Sequence, residues 1–311
     1  MGPIELQNLA MCVSFTGGRN EEGFIMTHNS IVSQSPSLIE SIFMFQKAIS
    51  EHDTLKLIDA CKLNYESMVK INEKRREMWK ASDHTKYTEF RDYIMGVKGN
   101  EEIFGDGVIY EGVWEEPKQF RGQTGAQDTI IPTEDIFTGV INNYPNNELT
   151  EYLIELREYR PPVFREFLKD LETESKKNLE HLFNSKSKEA LVYFLGSIDQ
   201  VYRFRNGHWM FVQKYIMANT KYPKATGGTP ITTWIPNQIE ATLNRMGKVL
   251  ELLKTIDDEL PKEAQQIYDD IQEEFKSKCN IITKQLEELS KVGYDVKTVY
   301  DLNGKFRELI D

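Results

Sequence analysis

The sequence of 311 residues is short of several residue types and patterns, and each shortage argues against a class of protein. Its three cysteines, Cys12, Cys61 and Cys279, lie far apart and form no CxxC pair, which argues against a structural zinc site or a disulfide framework. They are typical of reduced packing residues in a cytosolic protein, so we expect a cytoplasmic location. No apolar run reaches membrane-spanning length, and the N-terminus lacks the pattern of a signal peptide.

Basic residues are outnumbered, with 38 Lys and Arg against 49 Asp and Glu, which gives a net charge of -11. No basic stripe offsets this excess, so neither nucleic acid nor a membrane surface is expected as a partner. Familiar catalytic patterns are also missing: there is no P-loop, HExxH, GxSxG, or GxGxxG after a strand. The segment Thr226-Gly227-Gly228-Thr229 is not a phosphate loop by spacing. It fits a helix C-cap and turn, or a flexible loop that closes over a ligand.

What the sequence does have is helical periodicity over most of its length, with little strand-like alternation. Ser35 and Pro36 mark the start of one helix, and Asp53 is placed to cap another. We therefore predict an all-α protein. The glycine-bearing and aromatic residues 96–127 are predicted to form a long ordered loop. The other predicted helices cover residues 23–34, 86–95, 133–141, 148–159, 161–183, 187–218, 235–256, 261–290 and 296–310.

Two of the five histidines, His28 and His208, lie on apolar helical faces. His208 falls on the same stripe as Tyr202 and Val212, so its imidazole is predicted to face the interior. Gly207 beside it would let a flat group approach the backbone closely. This spacing favours a core histidine with a hydrogen-bond partner, and it also fits a histidine that binds a haem iron.

Arg91 lies in an apolar setting that includes Phe90, Tyr93 and Ile94. A guanidinium in such a setting needs a carboxylate partner. That carboxylate could belong to the protein, for example Asp92 in a structural ion pair, or to a bound ligand. The sequence contains no cluster of His, Cys and carboxylate residues at metal-ligand spacing, which argues against a zinc or di-iron site. A haem needs only one strong protein ligand and is compatible with this scarcity.

Several segments, in order along the chain, resemble the indoleamine 2,3-dioxygenase family, within a superfamily of histidine-ligated haem dioxygenases that includes tryptophan 2,3-dioxygenase. The resemblance runs from Asn8 to Thr229, and its specificity comes from the number of segments in register. The segments are Val13-Ser-Phe15, Gly23-Phe24, the run YEGVWEEPKQF from Tyr110 to Phe120, Gly125-Ala-Gln127, Asp135-Ile-Phe-Thr-Gly139, the run RPPVFREFL from Arg160 to Leu168, the run from His208 to Ile216, and Ala225-Thr-Gly-Gly-Thr229.

The resemblance implies an all-α haem-binding domain with haem b, and it suggests roles for the matching positions. His208 matches the histidine that binds the haem iron, and Arg91 matches the arginine that holds the substrate carboxylate. Phe24 matches an aromatic residue that packs against the substrate ring. Thr124 and Gly125 match residues that line the substrate side of the haem, and Thr124 also lies near the cofactor. Gly227, Gly228 and Thr229 match a mobile loop over the substrate and the haem. Arg205 and Asp135 match polar residues near the iron-binding histidine.

The chain departs from the family pattern in three respects. His28 lies where indoleamine dioxygenases usually have a serine, whereas tryptophan dioxygenases use a histidine to bind the indole N–H. His28, one helical turn from Phe24, is predicted to take that catalytic role. Lys86 and Tyr87 replace an aromatic pair expected near the substrate. The family's small N-terminal domain is not matched, and the acidic tail after Met246 is longer than the family's ending.

The implied reaction inserts O2 into the C2=C3 bond of L-tryptophan or a related indole, with an N-formylkynurenine-type product. Two alternatives stay open, namely a haem-dependent monooxygenase of another indole or aromatic amino acid, and a non-catalytic haem-binding helical protein. We predict a haem-binding catalytic domain at residues 1–245 and an acidic helical extension at residues 246–311. O2 and a small indole or aromatic amino acid are the expected partners, and the sequence is compatible with a homo-oligomer.

Overall fold

The computed structural model of the protein describes residues 8–144, 148–219 and 231–291. These ranges are helical, and the β-structure within them is one antiparallel bridge between Val108 and Lys118. The all-α prediction is confirmed. The α-helices are α1 (Arg19–Val32), α2 (Ser35–Glu51), α3 (Thr54–Arg76), α4 (Met78–Ala81), α5 (Thr88–Arg91), α6 (Glu101–Phe104), α7 (Ile130–Phe137), α8 (Glu148–Glu155), α9 (Pro162–Asn184), α10 (Lys188–Phe211), α11 (Ile231–Leu253) and α12 (Lys262–Lys291).

Local signals explain where several of these helices begin. The Asp53 carboxylate accepts a hydrogen bond from the Lys56 amide at 3.1 Å and caps α3, as predicted. Helix α2 begins at Ser35 with a proline in its first turn. Proline is tolerated there because the N–H groups of the first turn make no hydrogen bond within the helix. The segment predicted as helix 187–218 is α10 followed by a π-helical turn at Val212–Met217. The predicted helix 296–310 lies outside the described residues.

Helix α10 is the centre of the structure and packs against α3, α11 and α12. Every residue from 190 to 202 is buried, and Leu191, Phe194, Leu195 and Ile198 have no exposed surface. A helix that is apolar all round must lie inside a protein, because any exposed face would leave apolar surface in water. The C-terminal end of α10 is more polar, and it is there that the candidate functional residues lie.

The acidic segment α12 packs against the same core. Ile271 and Cys279 are buried on one face of this helix, whereas Glu273 is exposed on the other. The buried Lys278 Nζ lies 2.6 Å from Asp199 Oδ1 and so links α12 to α10. The predicted domain boundary between residues 245 and 246 falls inside α11, and the two-domain division stays a prediction.

The three cysteines are all free. Cys61 and Cys279 are buried packing residues, as predicted, but the prediction is wrong for Cys12, which is exposed. Within the described ranges, no helix has the length and apolar character needed to cross a membrane.

The substitution Gly23→Ala is expected to destabilise the fold by about 1–3 kcal/mol, the usual cost of overpacking a close contact. A carbon added at Gly23 would lie 1.9 Å from the Ala81 carbonyl oxygen, so α1 would have to move away from α4. The better helix propensity of alanine, worth ~1 kcal/mol, offsets part of this cost. Urea unfolding measures the change in free energy. Gly125→Ala is the control, because nothing lies within 4 Å of the added carbon there. Equal stability of the Gly23→Ala protein and the parent would contradict the packing.

Candidate functional site

His208 lies in the last turn of α10, immediately before the π-helical turn. Its neighbours Gly207 and Trp209 are buried, and Trp209 Nε1 donates a hydrogen bond to Gln285 Oε1 of α12 at 2.9 Å. These neighbours take the packed positions, so the His208 side chain projects between them and is exposed. The prediction that its imidazole faces the interior is therefore wrong. Contacts from other helices decide which positions near the end of α10 are covered, and periodicity does not contain that information.

The His208 ring is accessible, yet protein surrounds it closely enough to disfavour its charged form. Desolvation is the largest cause that lowers the pKa of His208, to about 4, and the charges of His28 and Arg75 act in the same direction. The ring is therefore neutral near pH 7 and has one nitrogen with a lone pair. Because His28 acts electrostatically on His208, the two histidines lie near each other.

His28 lies on α1, and its Nδ1 atom is 2.8 Å from the Phe24 carbonyl oxygen. Because a carbonyl oxygen can only accept, Nδ1 must donate, which leaves Nε2 as a hydrogen-bond acceptor when the ring is neutral. Burial lowers the pKa of His28, although the Phe24 hydrogen bond and the Asp128 carboxylate oppose this change. His28 therefore offers a neutral acceptor to the site.

Aromatic rings cluster around Phe24, next to His28, and come from two separate parts of the chain. The Phe24 ring centroid lies 4.6 Å from that of His28, 5.1 Å from that of Tyr87 and 5.5 Å from that of Phe90. Tyr87 and Phe90 are buried, whereas Phe24 is half-buried and so keeps some accessible ring surface. This cluster provides an apolar wall against which a flat aromatic ligand could pack.

Arg91 lies at the end of the short helix α5 and is only 4% exposed. Burial raises the pKa of Tyr87 and Arg91 acts in the opposite direction, so the Arg91 guanidinium lies close to the aromatic cluster. Lys86, in contrast, is exposed and its Nζ lies 2.7 Å from the Glu89 carboxylate. Of the two residues that replace the family's aromatic pair, only Tyr87 contributes to the cluster.

Thr124 and Gly125 lie in a segment that adjoins His28. The Thr124 side chain caps the 3-10 turn Gly125–Gln127, and the space beside Gly125 is open. Arg160 Nη2 donates to the Asp128 carbonyl oxygen at 2.6 Å and so fixes the end of this segment. The Asp128 carboxylate acts electrostatically on His28, which brings the segment to the same site.

A buried polar network lies at Arg205, one helical turn before His208. Arg205 Nη2 is 2.6 Å from Asp135 Oδ2, Nη1 donates to Thr242 Oγ1 at 2.6 Å, and the Tyr144 hydroxyl bonds to both ion-pair partners. Arg205 is 3% exposed and Asp135 is 5% exposed. Burial disfavours the Arg205 charge, but the Asp135 carboxylate more than offsets this and raises the pKa of the guanidinium. The network ties α7 and α11 to α10.

Some candidate residues fall outside this site or outside the described ranges. Gly227, Gly228 and Thr229 are not among the described residues, so their predicted role in a loop over the ligand stays a prediction. His52 and His181 line a surface cleft of about 520 Å³ between α2 and α9. Tyr144, Asp128 and Arg75 are site residues that the sequence did not single out, because each acquires its role from contacts with distant residues.

The donor set of the site fits one kind of cofactor. Within the described part of the chain, no group of three or more His, Cys, Asp and Glu side chains is arranged to hold a metal ion. His208 offers an accessible, neutral imidazole on α10, with His28 near enough to act on it electrostatically and an aromatic cluster beside His28. One such imidazole is what a haem iron requires of a protein. The residues of this site are compatible with a haem held by one histidine of a helical protein.

Comparison with known proteins places the chain in a family. The family model described as indoleamine 2,3-dioxygenase matches residues 1–248, and the chain belongs to this family of haem-dependent dioxygenases. The predicted family resemblance is confirmed. Helix α12 lies beyond the matched residues.

Three relatives illustrate the range of similarity. Indoleamine 2,3-dioxygenase 1 of Rattus norvegicus is 28% identical over 228 residues, which cover 73% of this chain and 55% of the rat protein. Indoleamine 2,3-dioxygenase 2 of Homo sapiens is 25% identical over 260 residues, which cover 78% of this chain and 63% of the human protein. A myoglobin of Haliotis madaka is 27% identical over 135 residues, which cover 43% of this chain and 35% of that protein. The chain thus spans just over half the length of its mammalian relatives.

Proposed function

We propose that this protein is a haem-dependent dioxygenase of L-tryptophan or a closely related indole, with His208 as the protein ligand of the haem iron. The observation that carries the proposal is the accessible, neutral imidazole of His208, which lies near His28 and the aromatic cluster beside it. Membership of the indoleamine 2,3-dioxygenase family supports both the cofactor and the reaction class.

The residues of the chain would divide the work of binding and orienting the substrate. Phe24 would pack against the indole ring, and His28 Nε2 would accept a hydrogen bond from the indole N–H, since Nδ1 already donates to the Phe24 carbonyl oxygen. Arg91 would hold the carboxylate, with Thr124 and Gly125 lining the site. The bound haem would supply the activation of O2, so the protein's share is positioning and the exclusion of water. The buried Arg205–Asp135 pair would steady the helix that carries His208.

The test is an absorption spectrum of the purified, haem-loaded protein in the ferric and ferrous–CO states, with and without L-tryptophan. We expect spectra of a histidine-ligated haem and a change when L-tryptophan binds near the iron. Incubation with O2 and a reductant should then give the absorbance of an N-formylkynurenine-type product. A protein that binds no haem, or a haem protein that forms no product from any indole of a panel, would contradict the proposal.

Arg91→Ala is expected to weaken the binding of L-tryptophan by about 2–5 kcal/mol, the usual cost of removing one partner of a buried charge pair. Binding of indole, which has no carboxylate, should change little. Titration of both ligands, followed through the haem spectrum, measures the difference. Arg165→Ala is the control, because Arg165 makes only a surface ion pair with Glu158. Equal losses for L-tryptophan and indole would remove the proposed role of Arg91.

A second candidate function is reversible O2 binding without oxygenation, and the similarity to the myoglobin of Haliotis madaka favours it. In this case the ferrous protein would form a stable O2 complex in the presence of L-tryptophan. The dioxygenase would instead consume O2 and form product. Stopped-flow spectra follow the ferrous–O2 complex, and an oxygen electrode measures O2 consumption. Used on the same mixture with L-tryptophan, the two measurements distinguish reversible O2 binding from oxygenation.

A further inference from the structure

Arg75 of α3 lies on the face of α10 that carries His208. A carbon added at Gly207 would lie 2.0 Å from Arg75 Nη1 and 2.2 Å from its Cζ, so the guanidinium occupies the space that a side chain at Gly207 would need. The Cζ atom lies 5.9 Å from the ring centroid of Phe204 and 5.6 Å from that of Phe211. The flat group that approaches the backbone at Gly207 is therefore this guanidinium.

Helical geometry places His208 directly beside this arginine. Residues three and four apart share a face of a helix, so His208 lies next to Phe204 and Phe211, the two rings that flank the guanidinium. Arg75 and His208 therefore lie on one face of α10.

The position of Arg75 is fixed through Asn72, one turn earlier on α3. Arg75 Nε donates to Asn72 Oδ1 at 3.1 Å, and Asn72 Nδ2 donates to the Gln200 carbonyl oxygen of α10 at 2.9 Å. Asn72 is 1% exposed and Arg75 is 8% exposed. The guanidinium is thus attached to the same helix whose end carries His208.

The Arg75 charge has no acidic counterpart in the described part of the chain. Nη1 is buried there without a hydrogen-bond partner, and the guanidinium makes no ion pair with any described carboxylate. Burial lowers the pKa of Arg75 to about 10, with a smaller effect from Arg76, so the side chain remains charged near pH 7. Buried arginines normally have a carboxylate partner, since an uncompensated buried charge is costly. Arg75 therefore places a positive charge beside His208 that no neighbouring acid neutralises.

We propose that Arg75 is a positioning residue for the iron site, whose fixed positive charge favours ferrous over ferric haem. The inference rests on the proposed function, in which His208 binds the iron. Removing one electron from ferrous haem adds one positive charge close to His208, and a fixed cation nearby disfavours that added charge. A carboxylate in the same place would act in the opposite sense, because it would increase the basicity of the ligand. Arg75 would thus hold the haem in the oxidation state that binds O2.

The test compares the haem-loaded parent with Arg75→Met in a spectroelectrochemical titration, in which an electrode supplies the electron that converts ferric to ferrous haem. At the potential where the parent is half reduced, we expect the ferrous-to-ferric ratio of Arg75→Met to be about tenfold lower. For a one-electron couple, this ratio corresponds to a reduction potential that is lower by ~59 mV. Arg75→Lys, which retains the charge, should recover most of this difference. Arg76→Met is the matched control, because it removes the same charge from the adjacent, exposed position.

Each alternative result has a definite meaning. An unchanged ratio in Arg75→Met, or an equal fall in Arg76→Met, would overturn the inference. If Arg75→Met does not fold, Arg75→Gln serves in its place, because it is neutral and retains a donor for Asn72. Loss of haem from both neutral variants but not from Arg75→Lys would assign Arg75 to haem retention and would also overturn it. A parent protein that binds no haem, or whose His208→Ala variant binds haem with an unchanged spectrum, would contradict the proposed function itself.

Discussion

Protein with the substitution His208→Ala is expected to purify without stoichiometric haem. His208 is the exposed imidazole of α10, and its low pKa keeps its nitrogen lone pair available near neutral pH. Loss of an outer partner of a metal ligand already costs about 10- to 100-fold in metal affinity, so loss of the ligand itself should cost more. His28 is a poor substitute, because its Nδ1 atom is engaged with the Phe24 carbonyl oxygen.

The ratio of haem absorbance to protein absorbance measures this loss, and the ferrous–CO spectrum shows whether any remaining haem has a histidine ligand. His181→Ala is the matched control, because His181 lines the cleft between α2 and α9. Imidazole added to the His208→Ala protein should restore part of the haem spectrum, since it replaces the missing ligand. Stable, stoichiometric haem in His208→Ala without added imidazole would contradict the role of His208 as iron ligand.

Asp135→Ala is expected to destabilise the protein by about 3–5 kcal/mol, because it leaves the Arg205 guanidinium as an uncompensated charge in the interior. Arg205 is 3% exposed, so water cannot replace the lost carboxylate without opening the packing between α7, α10 and α11. The hydroxyls of Tyr144 and Thr242 would remain as partners, but neither carries a negative charge near pH 7.

Urea unfolding of the protein without haem isolates this effect from any change in cofactor affinity. Glu158→Ala is the control, because its partner Arg165 is exposed and surface ion pairs contribute about 0–1 kcal/mol. The haem-loaded protein should show the same order of stabilities, with an added loss if the network also steadies His208. A loss from Asp135→Ala no larger than that from Glu158→Ala would show that Arg205 finds another partner or becomes solvated.

The sequence predicted those parts of the fold that depend on neighbouring residues in the chain. Asp53 caps α3 because its carboxylate needs only the amide of Lys56, three residues away. Helix α2 begins where Pro36 and Ser35 indicate it, and α10 continues through the predicted range because its apolar residues leave no polar side to expose. The start of α1 at Arg19 rather than Gly23 was missed, because the early turn contains few apolar residues.

The candidate site could be predicted only as a set of residues, through family resemblance. Phe24 and His28 of α1 lie beside Tyr87, Phe90 and Arg91, but the sequence contains nothing that joins α1 to α5. The predicted inward orientation of His208 was wrong, since Tyr202 and Val212 on the same stripe are buried whereas His208 is exposed. Periodicity describes one helix at a time, whereas burial depends on what packs against it.

The sequence by itself determined the all-α architecture and the family resemblance, and it identified His208 as the residue to examine. Only the tertiary structure decided that Arg75 fills the space beside Gly207, and that Asp135 neutralises Arg205 from 70 positions away along the chain. The physical reason is the range of the interactions. Helix formation and capping act over three or four residues, whereas charge compensation and close packing act between segments that only the folded chain brings together.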